Sequence, residues 1–97
     1  MTLHIVNQSP FSSNALQDCL ENFAQGDVLL LIEDGVYALQ GEFFRAIPGA
    51  RIYCLEVDTA ARAQEATASA KPNVEVINDI RWVQLCTQHN PIVSWFR

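Results

Sequence analysis

Val28-Leu29-Leu30-Leu31-Ile32, followed at once by Glu33-Asp34-Gly35, is the stretch on which the fold turns. Its five successive apolar residues leave no polar side for water, so a strand built from them has both faces covered. That pattern belongs to a parallel sheet between helices, whereas an antiparallel sheet with one wet face alternates. Gly35 closes the run at its carboxyl end, with Glu33 and Asp34 just before it. Asp-Gly can also turn a hairpin. Here Val36-Tyr37-Ala38-Leu39 and Phe43-Phe44-Ala46-Ile47 read instead as a helix broken at Gly41, ending at Pro48-Gly49.

Working outward, Leu3 to Val6 forms a first strand, with a turn at Ser9-Pro10. Asn14 is placed to cap a helix, with Gln17 three residues on to complete a capping box. Leu16, Cys19, Leu20 and Phe23 fall on one helical stripe, and Gly26 supplies a left-handed stop. Beyond the central stretch, Ile52 to Val57 is a third strand. Asp58 then caps a surface helix over the alanine-rich Thr59 to Ala70, which has almost no apolar stripe. Val74 to Ile77 is a fourth strand. Asp79 caps a last helix in which either Ile80, Val83 and Thr87 or Trp82, Leu85 and His89 share a face. Asn90-Pro91 ends it, and the apolar Ile92-Val93-Ser94-Trp95-Phe96 docks as an edge strand. The reading is one α/β domain over residues 1–97, with a mostly parallel sheet of four to five strands and helices on both faces.

Composition bounds the chemistry. A hydrophobic fraction of 49% in 97 residues suits a compact domain with one core, and part of it is expected to be buried against partners. The net charge is −5, and the basic residues are one lysine, Lys71, and five scattered arginines. Nucleic-acid backbones and anionic membranes are held by clustered cations, so direct binding to either is not expected. No secretory leader is read at Leu3-His4-Ile5-Val6, and three separated cysteines without a CxxC suit a reducing compartment, which makes cytoplasm the expected location.

Neither a GxxxxGK[ST] loop nor a GxGxxG fingerprint occurs, and no cofactor or metal is expected. His4 alternates with apolar neighbours and reads as a hydrogen-bonded structural residue; His89 suits a helix carboxyl end. Glu33, Asp34 and Asp58 sit at strand ends where ligands bind in open α/β sheets, yet Asp34 and Asp58 read first as caps. Among the thiols, Cys54 lies mid-strand and Cys86 reads as packing. Cys19 is the candidate reactive residue, although it lies on an apolar stripe where free cysteine often behaves as a small hydrophobe.

Four segments carry a family resemblance. Leu3-His4-Ile5-Val6-Asn7-Gln8-Ser9-Pro10-Phe11 resembles the opening of TusB/DsrH proteins. Leu30-Leu31-Ile32-Glu33-Asp34-Gly35-Val36-Tyr37-Ala38 is similar to the family's apolar strand with Asp-Gly. Tyr53-Cys54-Leu55 with Asp58, Ala61 and Arg62 matches a third segment, and Trp82-Val83-Gln84-Leu85-Cys86 through Ser94-Trp95 a fourth. One departure is Ala63, where the family usually has Gly, so a longer helix is expected there in place of a left-handed turn.

The resemblance implies a flavodoxin-like, DsrE-like fold and a hetero-oligomer, a dimer of heterotrimers, with TusC-like and TusD-like (DsrF-like and DsrE-like) subunits. It implies a sulfur relay ending in 2-thiouridine at the tRNA wobble position, or a DsrH-type role in dissimilatory sulfur oxidation. It also makes Cys19 a candidate persulfide carrier, because some members carry a cysteine in the first helix. The buried reading of Cys19 stays open beside it, as does a small-ligand-binding regulatory module at the strand ends.

Overall fold

The computed structural model describes residues 1–96. Five strands, β1 Leu3–Val6, β2 Val28–Leu31, β3 Arg51–Leu55, β4 Val74–Ile77 and β5 Ile92–Trp95, form one sheet in the order β4-β3-β2-β1-β5. Every pairing is parallel, with Leu3 opposite both Val28 and Ile92. All residues of β1 and β2 are buried, as the unbroken apolar run at Val28 requires of central strands.

Topology explains which face each helix covers. From β1 to β4 the chain steps in one direction across the sheet, and right-handed crossovers then fall on a single face. The elements there are α1 (Ala15–Glu21), two 3-10 segments (Glu33–Gln40 and Phe43–Ala46), α2 (Glu56–Ala61) and α3 (Glu65–Ser69). They close over Val6, Leu29, Leu31, Ile52 and Cys54 with Leu16, Cys19, Val36, Leu39 and Ala68. The last crossover turns back from β4 to the far side of β1. It carries α4 (Asp79–Gln88) over the other face, where Leu85, Trp82 and Cys86 meet Leu3, Ile5, Leu30, Tyr53 and Leu55. One face has several short elements; the other has one helix.

The local start and stop signals differ from expectation at several points. Asn14 precedes α1 without a side-chain cap, so the box with Gln17 does not form; Ser13 Oγ accepts the Ala15 N–H instead, at 3.1 Å. Gly26 is left-handed (φ +90°) but lies in the turn before β2, since α1 has already ended at Glu21. β3 stops at Leu55, and Val57 and Asp58 lie inside α2. The alanine-rich stretch is two short helices, broken at Ala63 with φ +55°. Asn78, one residue earlier than Asp79, caps α4 by accepting the Arg81 N–H at 2.9 Å. The expected edge strand at the carboxyl-terminal tail is present as β5.

Candidate functional site

Cys19 sits on the inner side of α1 with no exposed surface. Burial, and after it the negative charge of Asp27, pushes its thiol up to about 12. Sulfur transfer uses the thiolate, and a thiol so displaced stays protonated at neutral pH. The position in the helix gives no compensation, because Cys19 is the fifth residue of α1, past the turn whose free N–H groups favour anions. Cys54 is likewise enclosed, its thiol raised by burial to about 11 and directed at the Glu75 carbonyl 3.9 Å away. Cys86 is half-buried on the opposite face beside Trp82. Cys19 and Cys54 therefore share one core layer and Cys86 the other.

His4 is buried in β1, and its ring is fixed at both nitrogens. Trp95 Nε1–H, which can only donate, reaches His4 Nδ1 at 3.0 Å. The proton of the neutral ring therefore resides on Nε2, which donates to Asp27 Oδ2 at 2.9 Å. Asp27 also accepts the backbone N–H groups of Thr2 and Ala24, each at 3.0 Å. Burial works against its charge, yet the hydrogen bonds from His4, Ala24 and Thr2 and the attraction of His4 outweigh it and lower its pKa. Phe23 and Trp95 flank the imidazole, with centroids 5.0 and 6.1 Å away. The chain Asp27–His4–Trp95 has the order of a catalytic relay, but it ends on an indole and leaves no ring nitrogen for a substrate. Its effect is to tie β1, the start of β2 and β5 together.

At the carboxyl ends of β2 and β3 the acidic residues brace the backbone. Gly35 is required there, because a Cβ would run into the carbonyl oxygen of Val6. Glu33 is held left-handed at φ +49°, and its N–H donates to Asp58 Oδ2 at 2.8 Å. Arg62 Nε donates to Asp34 Oδ1 at 2.8 Å, and Nη1 to Asp58 Oδ1 at 3.4 Å. The Asp34 hydrogen bond, opposed by burial and helped by the charges of Asp34, Asp58 and Tyr37, raises the guanidinium further. Asp34 and Asp58, the residues placed at a ligand-binding edge, thus share one arginine, Arg62, as an intramolecular partner.

Among the described residues no cluster of three His, Cys, Asp or Glu side chains converges to hold a metal ion, and no helix is long and apolar enough to cross a membrane. A concavity of about 700 Å³ lies at the amino end of the sheet, between Phe23, Asp27, Ile47, Arg51 and His89. Its one buried carboxylate, Asp27, already has its donors. Sequence reasoning found His4 but missed its partners. A buried histidine in a strand demands them, and Asp27 at the start of β2 was the available signal.

The fold is that of a small flavodoxin-like, DsrE-like α/β subunit whose polar clusters brace the chain. The family model described as DsrH-like protein matches residues 8–92. Protein TusB of Pectobacterium parmentieri is 31% identical over 97 residues, spanning 96% of this chain and 99% of the relative. Protein TusB of Buchnera aphidicola subsp. Baizongia pistaciae is 34% identical over 98 residues, and that of Photorhabdus laumondii 32% over 99, with the same coverage of both chains. The chain belongs to the TusB/DsrH family, and its general role is in sulfur relay.

Proposed function

We propose that this chain is the architectural subunit of a sulfur-relay complex that serves 2-thiouridine formation at the tRNA wobble position. The observation that carries this reading is the near full-length likeness to proteins named TusB in a chain whose Cys19 and Cys54 thiols are both enclosed and held protonated. Such a chain completes a complex and shapes the surface around a partner's active thiol. Its partners are TusC-like and TusD-like subunits. The net charge of −5 leaves the RNA to be held elsewhere in the assembly.

Co-expression with the TusC-like and TusD-like chains of the same genome should give one co-purifying complex. Deleting the gene should strip 2-thiouridine from tRNA nucleoside digests. Failure to co-purify counts against a relay subunit of any kind. Intact 2-thiouridine with impaired sulfur oxidation would move the chain to the DsrH-type role.

The position of Cys19 in the first helix favours a second reading, in which its sulfur accepts the relayed atom directly. That requires α1 to open in the complex, since the thiol has no exposed surface in the isolated fold. Intact mass after incubation of the assembled complex with a persulfide donor distinguishes the two. The architectural reading expects no added sulfur on this chain, or equal labelling of the Cys19→Ser variant. A single added sulfur that disappears in Cys19→Ser establishes the carrier.

A further inference from the structure

β5 is an edge strand, and its outer side faces no other strand among the described residues. The Leu3 N–H donates to the Pro91 carbonyl at 3.1 Å, and the parallel register sets Leu3 opposite Ile92. Backbone groups of successive strand residues point to opposite sides, so Pro91, Val93 and Trp95 address β1. Ile92, Ser94 and, just past the strand, Phe96 turn their N–H and C=O groups away from the sheet. None of the three is a proline, so no donor is missing from this edge.

Open edges are normally guarded by charge, proline or a bulge. At the opposite edge, β4 carries the exposed Glu75 and follows Lys71-Pro72. β5 has no such guard. Residues 92–96 hold no charged side chain and no proline, and Ile92 and Phe96 are 44% and 55% exposed. An edge of this kind takes up another strand. The run Ile92-Val93-Ser94-Trp95-Phe96 indicates which one, because it complements itself when reversed. Set antiparallel to a copy about Ser94, Ile92 falls opposite Phe96, Val93 opposite Trp95, and Ser94 opposite its counterpart. β-branched and aromatic residues make favourable cross-strand pairs. Residues that exchange backbone bonds in an antiparallel ladder recur at every second position, so Ile92, Ser94 and Phe96 all find partners.

We propose that the free edge of β5 pairs antiparallel with β5 of a second copy of this chain, about a two-fold axis at Ser94, joining the two sheets into one. The pairing needs no sister subunit and stands apart from the relay reading. Charge opposes it: each copy carries −5, and α1, packed beside β5, bears Asp18 and Glu21. The dimer is therefore reversible and tightens as salt screens the repulsion.

Sedimentation equilibrium of the purified chain should show monomer and dimer, shifted toward dimer by concentration and by salt. Ser94→Lys and Ser94→Glu should each weaken self-association about tenfold or more with the thermal transition retained, because each sets like charges face to face. Mixing the two variants should restore a dimer, since unlike charges then meet at the axis. In the wild type, the amides of Ile92, Ser94 and Phe96 should exchange several-fold more slowly as concentration rises. A chain that stays monomeric at every concentration and salt overturns the proposal, as does a dimer that both variants leave intact. Folded variants whose mixture stays monomeric overturn the axis at Ser94. Should the variants not fold, amide exchange decides alone, and a dimer with these amides unprotected overturns the pairing. Protection that appears only on adding the TusC-like or TusD-like protein would assign the edge to a sister strand and equally overturn it.

Discussion

Asp27 collects three donors on two carboxylate oxygens, from Thr2, Ala24 and His4. Asp27→Asn removes the charge and turns an amide N–H₂ toward one of those donors, leaving buried groups unsatisfied. The expected loss is about 2–3 kcal/mol of stability at neutral pH, read from urea unfolding. The pH dependence follows from the direction of the shift. The folded-state pKa of Asp27 lies below its unfolded value, so its contribution is fully present above the unfolded value of about 3.9. It is lost as pH falls through the lower folded value, and the gap between wild type and Asp27→Asn should narrow below about pH 4. A gap that stays constant or widens on acidification would contradict this account. His4 was readable in the sequence as a structural histidine, because a polar ring among apolar strand neighbours needs partners. Asp27, just before β2, was a signal for one partner, but Trp95 lies 91 positions away and meets the ring only once the strand order is fixed.

The junction of α2 and α3 turns on a residue of the wrong kind. Ala63 holds φ +55°, where a Cβ costs roughly 1–2 kcal/mol and Gly costs nothing. Restoring glycine recovers that strain and gives up somewhat less in unfolded-chain entropy. Ala63→Gly should therefore stabilise the chain by about 0.5–1 kcal/mol, raising Tm by a few degrees. An unchanged or lower Tm would mean that the junction relaxes around the alanine. Sequence reading flagged Ala63 as the departure from the family pattern, and it expected a continuous helix in its place. Alanine is the best helix former, so local propensity carries no sign of the break. The break is a Schellman end of α2: the Ala63 N–H donates to the Ala60 carbonyl at 3.3 Å and the Gln64 N–H to the Thr59 carbonyl at 2.8 Å, which requires the left-handed residue between them. α4 was ambiguous for a related reason. Two apolar faces were visible, and only packing reveals that Trp82 and Leu85 turn inward while Ile80 and Val83 remain outside.

Over the whole molecule, the parallel sheet was readable from Val28 to Ile32 because complete burial leaves a mark on every residue of a central strand. Strand order leaves no such mark, and it determines what the tail does. β5 returns beside β1, so the first strand is central, with every residue buried. The Leu3 N–H donates to the Pro91 carbonyl at 3.1 Å, and Trp95 supplies the second hydrogen bond of His4. A chain ending at His89 would turn β1 into a bare edge, with unpaired backbone groups beside an apolar core. That chain should lose its cooperative thermal transition and self-associate in light scattering. Trp95→Phe is the graded comparison, because it keeps a ring against His4 and removes only the donor. Leaving Nδ1 unsatisfied should cost about 1–3 kcal/mol with the chain still folded. A truncated chain that melts as the intact one does would mean that β5 is an ornament on a four-stranded domain, and the Asp27–His4–Trp95 bracing would lose its role as the clamp between the two ends of the chain.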